Sequence, residues 1–386
     1  MRLLIVSDTF PPDVNGVSRT LERFAVGLSE RNHEVRIVTT SESPAGCQLS
    51  RDVVKSFRLP GYNAVRIGLA TRAWFVRLIK EWQPEVIYAA TETPLGIAAI
   101  LAARAMKVPI LSGFHTNFHS YARNYHLSLL QPLASAYLAA IHKMTALTVV
   151  PSLQSAALVR GMGVKQVSVI GRGVDADLFC PQVRDANLRE QWGVSPDAPV
   201  ALYVGRLALE KNLTLLKQSM DVFRASRPDC KCVIVGDGPC RAELERRNPA
   251  WHFAGNRSGQ DLARHYASAD VFIFPSLSET FGNVILEAIA SGLVLVAYNQ
   301  AAAAEHLTHE TNALLAPPAD EKPFIECVKS AAERWNDQGL RASARNKATD
   351  LTWDKIIQSL ENTLLSSLKP LPAVSSKHLS PSTYLS

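Results

Sequence analysis

The sequence predicts an α/β protein made of two doubly wound domains that face a central cleft. The chain has 386 residues, which is more than one hydrophobic core usually serves. In both halves, short and almost continuously apolar runs alternate with segments of helical periodicity, as in parallel sheets covered by helices. A polar stretch that contains Pro181 and Pro196 separates the two series, so we expect the domain boundary there.

The first half opens on a buried strand at residues 3–6, followed by a loop at residues 8–16. The next segment has the apolar spacing of an amphipathic helix, with one face made of Val17, Leu21, Phe24, Ala25 and Leu28. Further strands are predicted at residues 34–39, 85–89, 109–113, 146–150 and 167–170. Residues 1–175 therefore form the predicted N-terminal domain, which we expect to bind the acceptor of the reaction inferred below.

The second half repeats the scheme, with predicted strands at residues 200–204, 232–235, 271–274 and 294–297. Residues 176–350 form the predicted C-terminal domain, which we expect to bind a nucleotide. A last helix at residues 351–368 is expected to cross back to the N-terminal domain. The tail, residues 369–386, is rich in Ser and Pro and is expected to be disordered.

The net charge of +6 is unevenly distributed along the chain. Residues 1–180 carry 19 basic and 12 acidic residues, whereas the remainder carries 22 basic and 23 acidic residues. A basic cluster between Arg51 and Lys80 accounts for much of the excess, which favours an anionic partner such as a membrane surface or an acidic substrate. Because no RNA-binding motif or recognition-helix pattern accompanies it, nucleic acid is not expected as a partner.

The sequence predicts a cytoplasmic protein. No segment reaches the roughly 20 apolar residues of a membrane span, and no secretory signal is apparent at the start. The six cysteines lack zinc-site spacing, so we expect reduced thiols.

Several motifs indicate an anionic ligand. Gly16 precedes the first helix, whose N-terminal N–H groups favour negative charge. Gly205 ends a predicted strand, and Arg206 and Lys211 follow at its carboxyl end, where two cations suit a diphosphate. Gly236 lies in a Gly-Asp-Gly turn at the end of another strand, for which a purely structural role is the favoured interpretation.

The segment from residue 274 to residue 292 carries the most information. A strand ends, a loop presents Glu279, and a helix begins near Gly282 and contains Glu287. Backbone N–H groups at Thr280, Phe281, Gly282 and Asn283 are predicted to point toward a phosphate. Carboxylates accept hydrogen bonds from hydroxyl groups, so two of them around a phosphate site indicate a nucleotide sugar.

These residues resemble the retaining family-4 glycosyltransferases of GT-B fold, in which two Rossmann-like domains face a cleft. The resemblance rests on Pro-Ser-x-x-Glu-x-Phe-Gly-x4-Glu, on Gly205-Arg206 with Glu210-Lys211-Asn212, and on Gly236-Asp-Gly. It implies that Glu279 holds sugar hydroxyls, that Glu287 holds the ribose, and that Arg206 and Lys211 neutralise the diphosphate. It also implies donor contacts from Gly16, Gly205, Gly236, Thr280, Phe281, Gly282 and Asn283.

The N-terminal half narrows the resemblance. The segments Asp8-Thr-Phe-Pro-Pro-Asp-Val-Asn-Gly-Val17 and Gly113-Phe-His-Thr-Asn-Phe118 are similar to GDP-mannose-dependent mannosyltransferases and to sulfoquinovosyl- or glucuronosyl-diacylglycerol synthases. His115 matches the family histidine that touches the donor sugar near the bond being broken, so we place it with Arg206, Lys211 and Glu279 among the catalytic residues.

No metal and no cofactor are expected. Asp175-Ala-Asp177 matches a metal-binding pattern of the other glycosyltransferase fold, but here it lies in the stretch between the domains. The resemblance implies that basic side chains and helix N-termini stabilise the leaving diphosphate instead.

The acceptor is expected to be a lipid or glycolipid reached from an anionic membrane surface, on the inner face of the plasma membrane. The residues assigned to acceptor or membrane contact are Arg58, Tyr62, Arg66, Arg72 and Tyr121. Aromatic residues of segment 57–82, such as Trp74 and Phe75, form either an interfacial helix or part of the core.

The predicted function is hexose transfer with retention, leaning toward mannose from GDP-mannose. A UDP-sugar-dependent diacylglycerol glycosyltransferase is the alternative. Three further functions are less favoured: a nucleotide-sugar epimerase, a phosphorylase on the same fold, and a non-catalytic nucleotide-sugar-binding module.

Overall fold

The computed structural model describes residues 1–13, 15–42, 49–59, 62–115 and 131–368. Two parallel sheets dominate it. The seven strands of the first sheet are β1 (Arg2–Val6), β2 (Glu34–Thr39), β3 (Ser50–Val53), β6 (Val86–Ala89), β7 (Ile110–Gly113), β8 (Leu147–Val150) and β9 (Val167–Val169), in the spatial order β3-β2-β1-β6-β7-β8-β9. An antiparallel pair made of β4 (Lys55–Leu59) and β5 (Tyr62–Leu69) intervenes in the chain.

The second sheet has six strands. They are β10 (Val200–Val204), β11 (Lys231–Val235), β12 (His252–Gly255), β13 (Val271–Phe274), β14 (Val294–Tyr298) and β15 (Leu314–Ala316), in the spatial order β12-β11-β10-β13-β14-β15. The central strands are continuously apolar because helices cover both faces, and every residue of β10, β13 and β14 is buried.

The helices of the first half are α1 (Gly16–Glu30), α2 (Arg72–Trp82), α3 (Pro94–Met106), α4 (Gln131–Lys143) and α5 (Leu153–Gly161). Those that follow are α6 (Ala186–Gln191), α7 (Leu213–Ser226), α8 (Arg241–Arg247), α9 (Gly259–Ser268), α10 (Asn283–Ala290), α11 (Ala301–His306), α12 (Glu321–Glu333), α13 (Gln338–Thr349) and α14 (Trp353–Ser367). Single turns of 3₁₀ helix lie at Pro181–Val183 and Leu209–Lys211. The predicted fold class is confirmed.

Each sheet reverses its strand order beside its first strand. The reversal falls between β1 and β6 in the first sheet and between β10 and β13 in the second. Ligands of doubly wound folds bind outside the carboxyl ends of the strands at this point. The loops that follow β1, β10 and β13 therefore lie where a ligand is expected.

The last helix packs on the first sheet's helix layer. Ile357, Leu360 and Leu364 of α14 belong to the same buried cluster as Phe24 and Leu28 of α1. At Gly27 the two helices approach so closely that a β-carbon would overlap the Ile357 side chain. Helix α14 is thus anchored to the N-terminal half.

Polar contacts also join α14 to the N-terminal half. Glu361 Oε1 lies 2.7 Å from His33 Nε2, and Glu361 Oε2 accepts from Arg31 Nη1 at 2.8 Å. The two bases lower the pKa of the Glu361 carboxyl, chiefly through the hydrogen bond from His33.

The sequence predicts no membrane-spanning segment and a disordered tail. Within the described residues, no helix combines the length and the apolar character needed to cross a bilayer. The tail at residues 369–386, expected to be disordered, lies outside the described residues.

Candidate active site

The sequence-predicted site residues from the two halves meet in one cleft. Thr280, in the loop after β13, donates through Oγ1 to the backbone carbonyl of His115 at 3.1 Å. Gly16, the first residue of α1, lies opposite Asn283, the first residue of α10: a β-carbon on Gly16 would be 3.9 Å from Asn283 Nδ2. The cleft therefore lies between the carboxyl edges of both sheets.

Two helix N-termini point into this cleft. Asn15 caps α1 by accepting from the Ser18 amide at 2.9 Å, which leaves the first N–H groups of the helix on the cleft side. Gly282 precedes α10 with φ at +96°, a left-handed conformation that favours glycine and turns the chain into the helix. Together the two ends offer unpaired N–H donors with partial positive charge.

The glycine turns after β10 and β11 touch each other. The amide of Gly205 donates to Val235 O at 3.0 Å, and the amide of Leu207 donates to Asp237 O at 2.9 Å. A β-carbon on Gly236 would overlap the carbonyl of Gly205. Gly236 is thus required for the close approach of these two turns, as the structural interpretation of the Gly-Asp-Gly turn expected.

Lys211 and Glu279 form an ion pair in the cleft. Lys211 Nζ contacts Glu279 Oε1, which also accepts from Ser276 Oγ at 2.7 Å. Both charged side chains are mostly shielded, with 17% and 14% exposure. The loops that carry them are tied by Ser278 Oγ, which donates to the Glu210 carbonyl at 2.9 Å.

Arg206 lies at the mouth of the same region. Its side chain is 38% exposed, and Nη1 is 3.8 Å from Glu210 Oε1, a carboxylate that is almost wholly buried. The guanidinium is therefore placed by the turn after β10 and remains partly exposed.

Glu287 lies on α10, facing a cavity of about 300 Å³ between the two halves. Its Oε2 accepts from Tyr266 Oη at 2.9 Å, and Arg19 of α1 approaches Oε1 at 3.9 Å. Burial raises the pKa of the Glu287 carboxyl, although Arg19 and Tyr266 oppose that effect. Other residues that line the cavity are Ser258, Gly259, Leu262, Asn283 and Trp353.

The imidazole of His115 is turned into the protein and is not open to the cleft. Its side chain is buried, with Nε2 2.6 Å from Tyr88 Oη and Nδ1 2.9 Å from Arg172 Nη2. Burial is the main reason that the pKa of His115 lies well below its ordinary value, and the Arg172 charge adds to it. It is the main chain of His115 that reaches across to Thr280.

Phe281 differs from its neighbours in the same loop. Its ring is buried, 5.9 Å from the His306 ring in an edge-on arrangement, and its carbonyl accepts from the Ala302 amide at 3.0 Å. Any contact of Phe281 with a ligand in the cleft is therefore limited to its main chain.

Asp175, the first acidic residue of the Asp-x-Asp pattern, makes contacts that stabilise the fold. Asp175 pairs with Arg23 of α1 at 3.0 Å, and its other oxygen accepts from the Leu178 amide at 3.0 Å. Among the described residues, no group of three His, Cys, Asp or Glu side chains is placed to hold a metal ion.

The residues assigned to acceptor or membrane contact are only partly described. Arg58 and Arg66 face each other across the β4–β5 pair, and Arg72 is exposed at the start of α2. The side chain of Tyr62 and all of Tyr121 lie outside the described residues.

Helix α2 does not present an apolar face to solvent. Phe75, Leu78 and Ile79 are buried in the core, and the ring of Trp82 lies under the guanidinium of Arg36 at 5.8 Å. The interpretation of this helix as an interfacial element is therefore wrong, because its apolar stripe is already covered by α3 and the sheet.

Sequence reasoning missed three residues of the cleft. Arg19 and Tyr266 contact Glu287, and Arg172 contacts His115. Arg19 lies three residues after Gly16, so its position on the first turn of α1 was a usable signal. Tyr266 and Arg172 come from distant parts of the chain and gave no local signal.

Comparison with known proteins matches this architecture in both halves. Residues 14–178 match the model of "Glycosyltransferase Family 4", and residues 198–334 match that of "Glycosyl transferases group 1". A GDP-mannose-dependent alpha-mannosyltransferase of Corynebacterium glutamicum is 30% identical over 93% of this chain and 87% of its own length. The sulfoquinovosyl transferase SQD2 of Arabidopsis thaliana is 33% identical over 74% of this chain and 56% of its own length.

A solved structure shares the fold across almost the whole chain. HepE of Anabaena, determined in complex with UDP and glucose, aligns with a TM-score of 0.75 over 94% of this chain and 99% of its own, at 20% identity. The two facing sheets, both family models and the near full-length relative lead to the same assignment. The chain belongs to the family-4 glycosyltransferases of GT-B fold and is a hexosyltransferase.

Proposed function

We propose that the enzyme transfers a hexose, with retention of anomeric configuration, from a nucleotide diphosphate sugar to a hydroxyl group of a lipid or glycolipid. The donor in this proposal is GDP-mannose. The observation that carries it is the approach of two helix N-termini, at Gly16 and Asn283, beside the cavity that Glu287 borders. The Lys211–Glu279 pair, whose glutamate lies in the loop before the second of these helices, adds support.

The diphosphate is assigned to the positive part of the cleft. The N-terminal N–H groups of α1 at Gly16 and of α10 at Asn283 face each other, and both act on an anion between them. Arg206 and Lys211 approach from the turn after β10. Charge-assisted hydrogen bonds to phosphate contribute about 1.5–3 kcal/mol each, so several of them hold a diphosphate firmly.

The two carboxylates are assigned to the ends of the donor. Glu287 borders the cavity of about 300 Å³ and has one oxygen fixed by Tyr266, which leaves the other side for ribose hydroxyls. Glu279 is held by Ser276 and Lys211 in the loop nearest the first half, where it accepts from hexose hydroxyls. Gly205, Thr280 and Gly282 allow the main chain to approach the donor between them.

The reaction in this proposal relies on electrostatic stabilisation of the departing nucleoside diphosphate. Negative charge that develops on the leaving oxygen meets preorganised N–H groups and the two cations. The acceptor hydroxyl attacks from the face that the leaving group occupies, which retains the configuration without an enzymic nucleophile. Closure of the two halves around the donor excludes water from the site.

GDP-mannose is favoured over a UDP-sugar by the relatives that cover most of the chain. Three GDP-mannose-dependent alpha-mannosyltransferases are 30–33% identical over 77–93% of it. SQD2 and an alpha-monoglucosyldiacylglycerol synthase of Streptococcus pneumoniae, 27% identical over 77%, support a lipid acceptor.

The purified enzyme is expected to transfer mannose from GDP-mannose to a glycolipid acceptor, with an α-linkage in the product. Transfer from the α-configured donor is followed by mass spectrometry, and the anomeric configuration of the product is read from its NMR coupling constants. UDP-glucose, UDP-glucuronate and UDP-sulfoquinovose serve as competing donors. A β-linked product rejects retention, and nucleotide release without any acceptor indicates an epimerase.

Substitution of Arg206 or Lys211 by alanine is expected to reduce kcat about 10²–10³-fold, because each change removes a cation from the developing leaving-group charge. The thermal midpoint should fall by several degrees, because each change removes the cation beside a shielded carboxylate, Glu210 or Glu279, but both variants should remain folded at the assay temperature. Arg224→Ala and Lys217→Ala, at surface positions of α7, are matched controls with full turnover expected. Wild-type turnover in Arg206→Ala and Lys211→Ala excludes the proposed diphosphate site.

Membrane association is assigned to the β4–β5 pair. Arg58 and Arg66 lie directly opposite each other in the antiparallel register, where like charges repel unless an anion is shared between them. Phe57 and Leu69, which are about half exposed, point to the other face of the same pair of strands, so the arginine pair alone carries this assignment. Two neighbouring cations favour a surface of anionic lipid.

The double variant Arg58→Gln, Arg66→Gln is expected to bind vesicles of phosphatidylcholine with 30% phosphatidylglycerol roughly 10-fold more weakly at low salt. Flotation over a salt series measures the affinity. Arg224→Gln with Arg246→Gln removes the same charge from exposed positions of the second half and should leave binding unchanged. Binding that is independent of lipid charge contradicts this docking surface.

A further inference from the structure

Three polar side chains form a buried cluster behind the cleft. Tyr88 on β6, His115 after β7 and Arg172 after β9 are each almost completely buried. The imidazole lies between the other two, with Tyr88 Oη at 2.6 Å and Arg172 Nη2 at 2.9 Å. All three follow or belong to strands whose carboxyl ends face the donor cleft.

The contacts define which nitrogen of His115 carries the proton. A guanidinium has only donors, so His115 Nδ1 must be the acceptor of the bond from Arg172. The proton is then on Nε2, which donates to Tyr88 Oη. The imidazole is therefore neutral and in one tautomer.

Arg172 is an unusual group to bury at this place. Its remaining donors go to the carbonyls of Ile170 and Gly171 at 3.0 and 2.9 Å, and its guanidinium lies 5.6 Å over the Phe24 ring. No ion pair links it to a carboxylate among the described residues. Burial lowers the pKa of Arg172 to about 10, so the group is still charged at neutral pH.

The same cluster is connected to the donor loop by the main chain. The carbonyl of His115 accepts from Thr280 Oγ1 at 3.1 Å. Gly113 leaves room for this arrangement, because a β-carbon there would be 2.5 Å from both His115 Nε2 and Tyr88 Oη. Gly171, next to Arg172, lies beside the ring of Phe281. Movement of the imidazole would therefore displace the loop that begins α10.

We propose that Arg172 is a positioning residue for sugar transfer. It holds His115 as a neutral imidazole protonated on Nε2, and the main chain at residues 113–115 therefore keeps its hydrogen bond with Thr280. The inference rests on the proposed donor site, since Thr280 belongs to the loop assigned to the donor. Arg172, a buried cation that takes no part in the proposed diphosphate site, thereby has a role in placing the donor loop.

Several charged or titratable groups surround the imidazole. Burial is the main cause of the low pKa of His115, and Arg172 and His142 of α4 lower it further. Tyr88 faces it from β6, and Glu92, in the loop after β6, lies behind His142 with Glu92 Oε1 at 3.4 Å from His142 Nε2. Thr280 faces it from the second half and does not titrate.

Removal of the Arg172 charge should raise the pKa of His115, because that charge lowers it, although burial, the main cause of the shift, remains. A protonated imidazole donates from both nitrogens, so it can no longer accept at Nδ1. In the Arg172→Gln variant, kcat should therefore fall about 10²-fold at the acid end of its pH profile, with a smaller loss at pH 8 and little change in KM. The wild-type enzyme should show no such acid limb.

Two measurements test this. The pH profile of kcat is recorded with the cognate donor, and the titration of His115 itself is followed without donor by deuterium exchange at its C2 position, read by mass spectrometry. In the folded wild-type chain the pKa of His115 should lie well below its ordinary value of 6.5. Titration near 6.5 overturns the proposal, whatever the variants do and whichever donor is used.

Two variants separate positioning from folding. Arg172→Lys keeps a donor for Nδ1 and should restore the flat profile at least in part. Arg345→Gln is the matched control, since Arg345 also donates to main-chain carbonyls, those of Ala176, Phe179 and Ala290, away from His115. It should leave the shape of the profile unchanged. An acid limb in Arg345→Gln, or none in a folded Arg172→Gln, contradicts the inference.

Discussion

The opposition of two helix N-termini across one cleft is the constraint on which the rest of the site depends. Each helix end leaves its first N–H groups without intrahelical partners, and an anion between the ends satisfies both sets. The parallel sheets place these ends, because α1 and α10 each follow a strand beside the point of reversed strand order. Gly16 and the side chain of Asn283 meet at this place.

The charged side chains of the cleft are paired with each other in the free protein. Lys211 contacts Glu279, and Arg19 approaches Glu287, so each proposed donor ligand has a protein partner before the donor arrives. Such pairs limit the cost of keeping shielded charges, and they exchange for phosphate and hydroxyl groups on binding. The Arg19–Glu287 and Thr280–His115 contacts also join the two halves, which ties donor binding to their relative position.

Much of the fold could be predicted from the sequence, because the central strands are buried on both faces and therefore continuously apolar. The strands β3, β4, β5, β12 and β15 were missed. Three of them, β3, β12 and β15, lie at sheet edges, and β4 and β5 form a separate antiparallel pair outside the two parallel sheets. The loop around Glu279 and Gly282 was found from local spacing alone. Arg172, Tyr266 and the inward turn of His115 were not, because these contacts join residues from 21 to 57 positions apart. The apolar stripe of α2 was ambiguous for a physical reason: a core helix and an interfacial helix share the same periodicity.

Isothermal titration calorimetry of the intact chain with GDP, GMP and UDP tests the central claim most directly, that this cleft binds two linked phosphoryl groups. The account predicts one site for GDP, with GMP bound at least 10²-fold more weakly because it lacks the group that meets the second set of N–H donors and cations. Equal affinities for GDP and GMP, or no heat of binding with any nucleoside diphosphate, would contradict it.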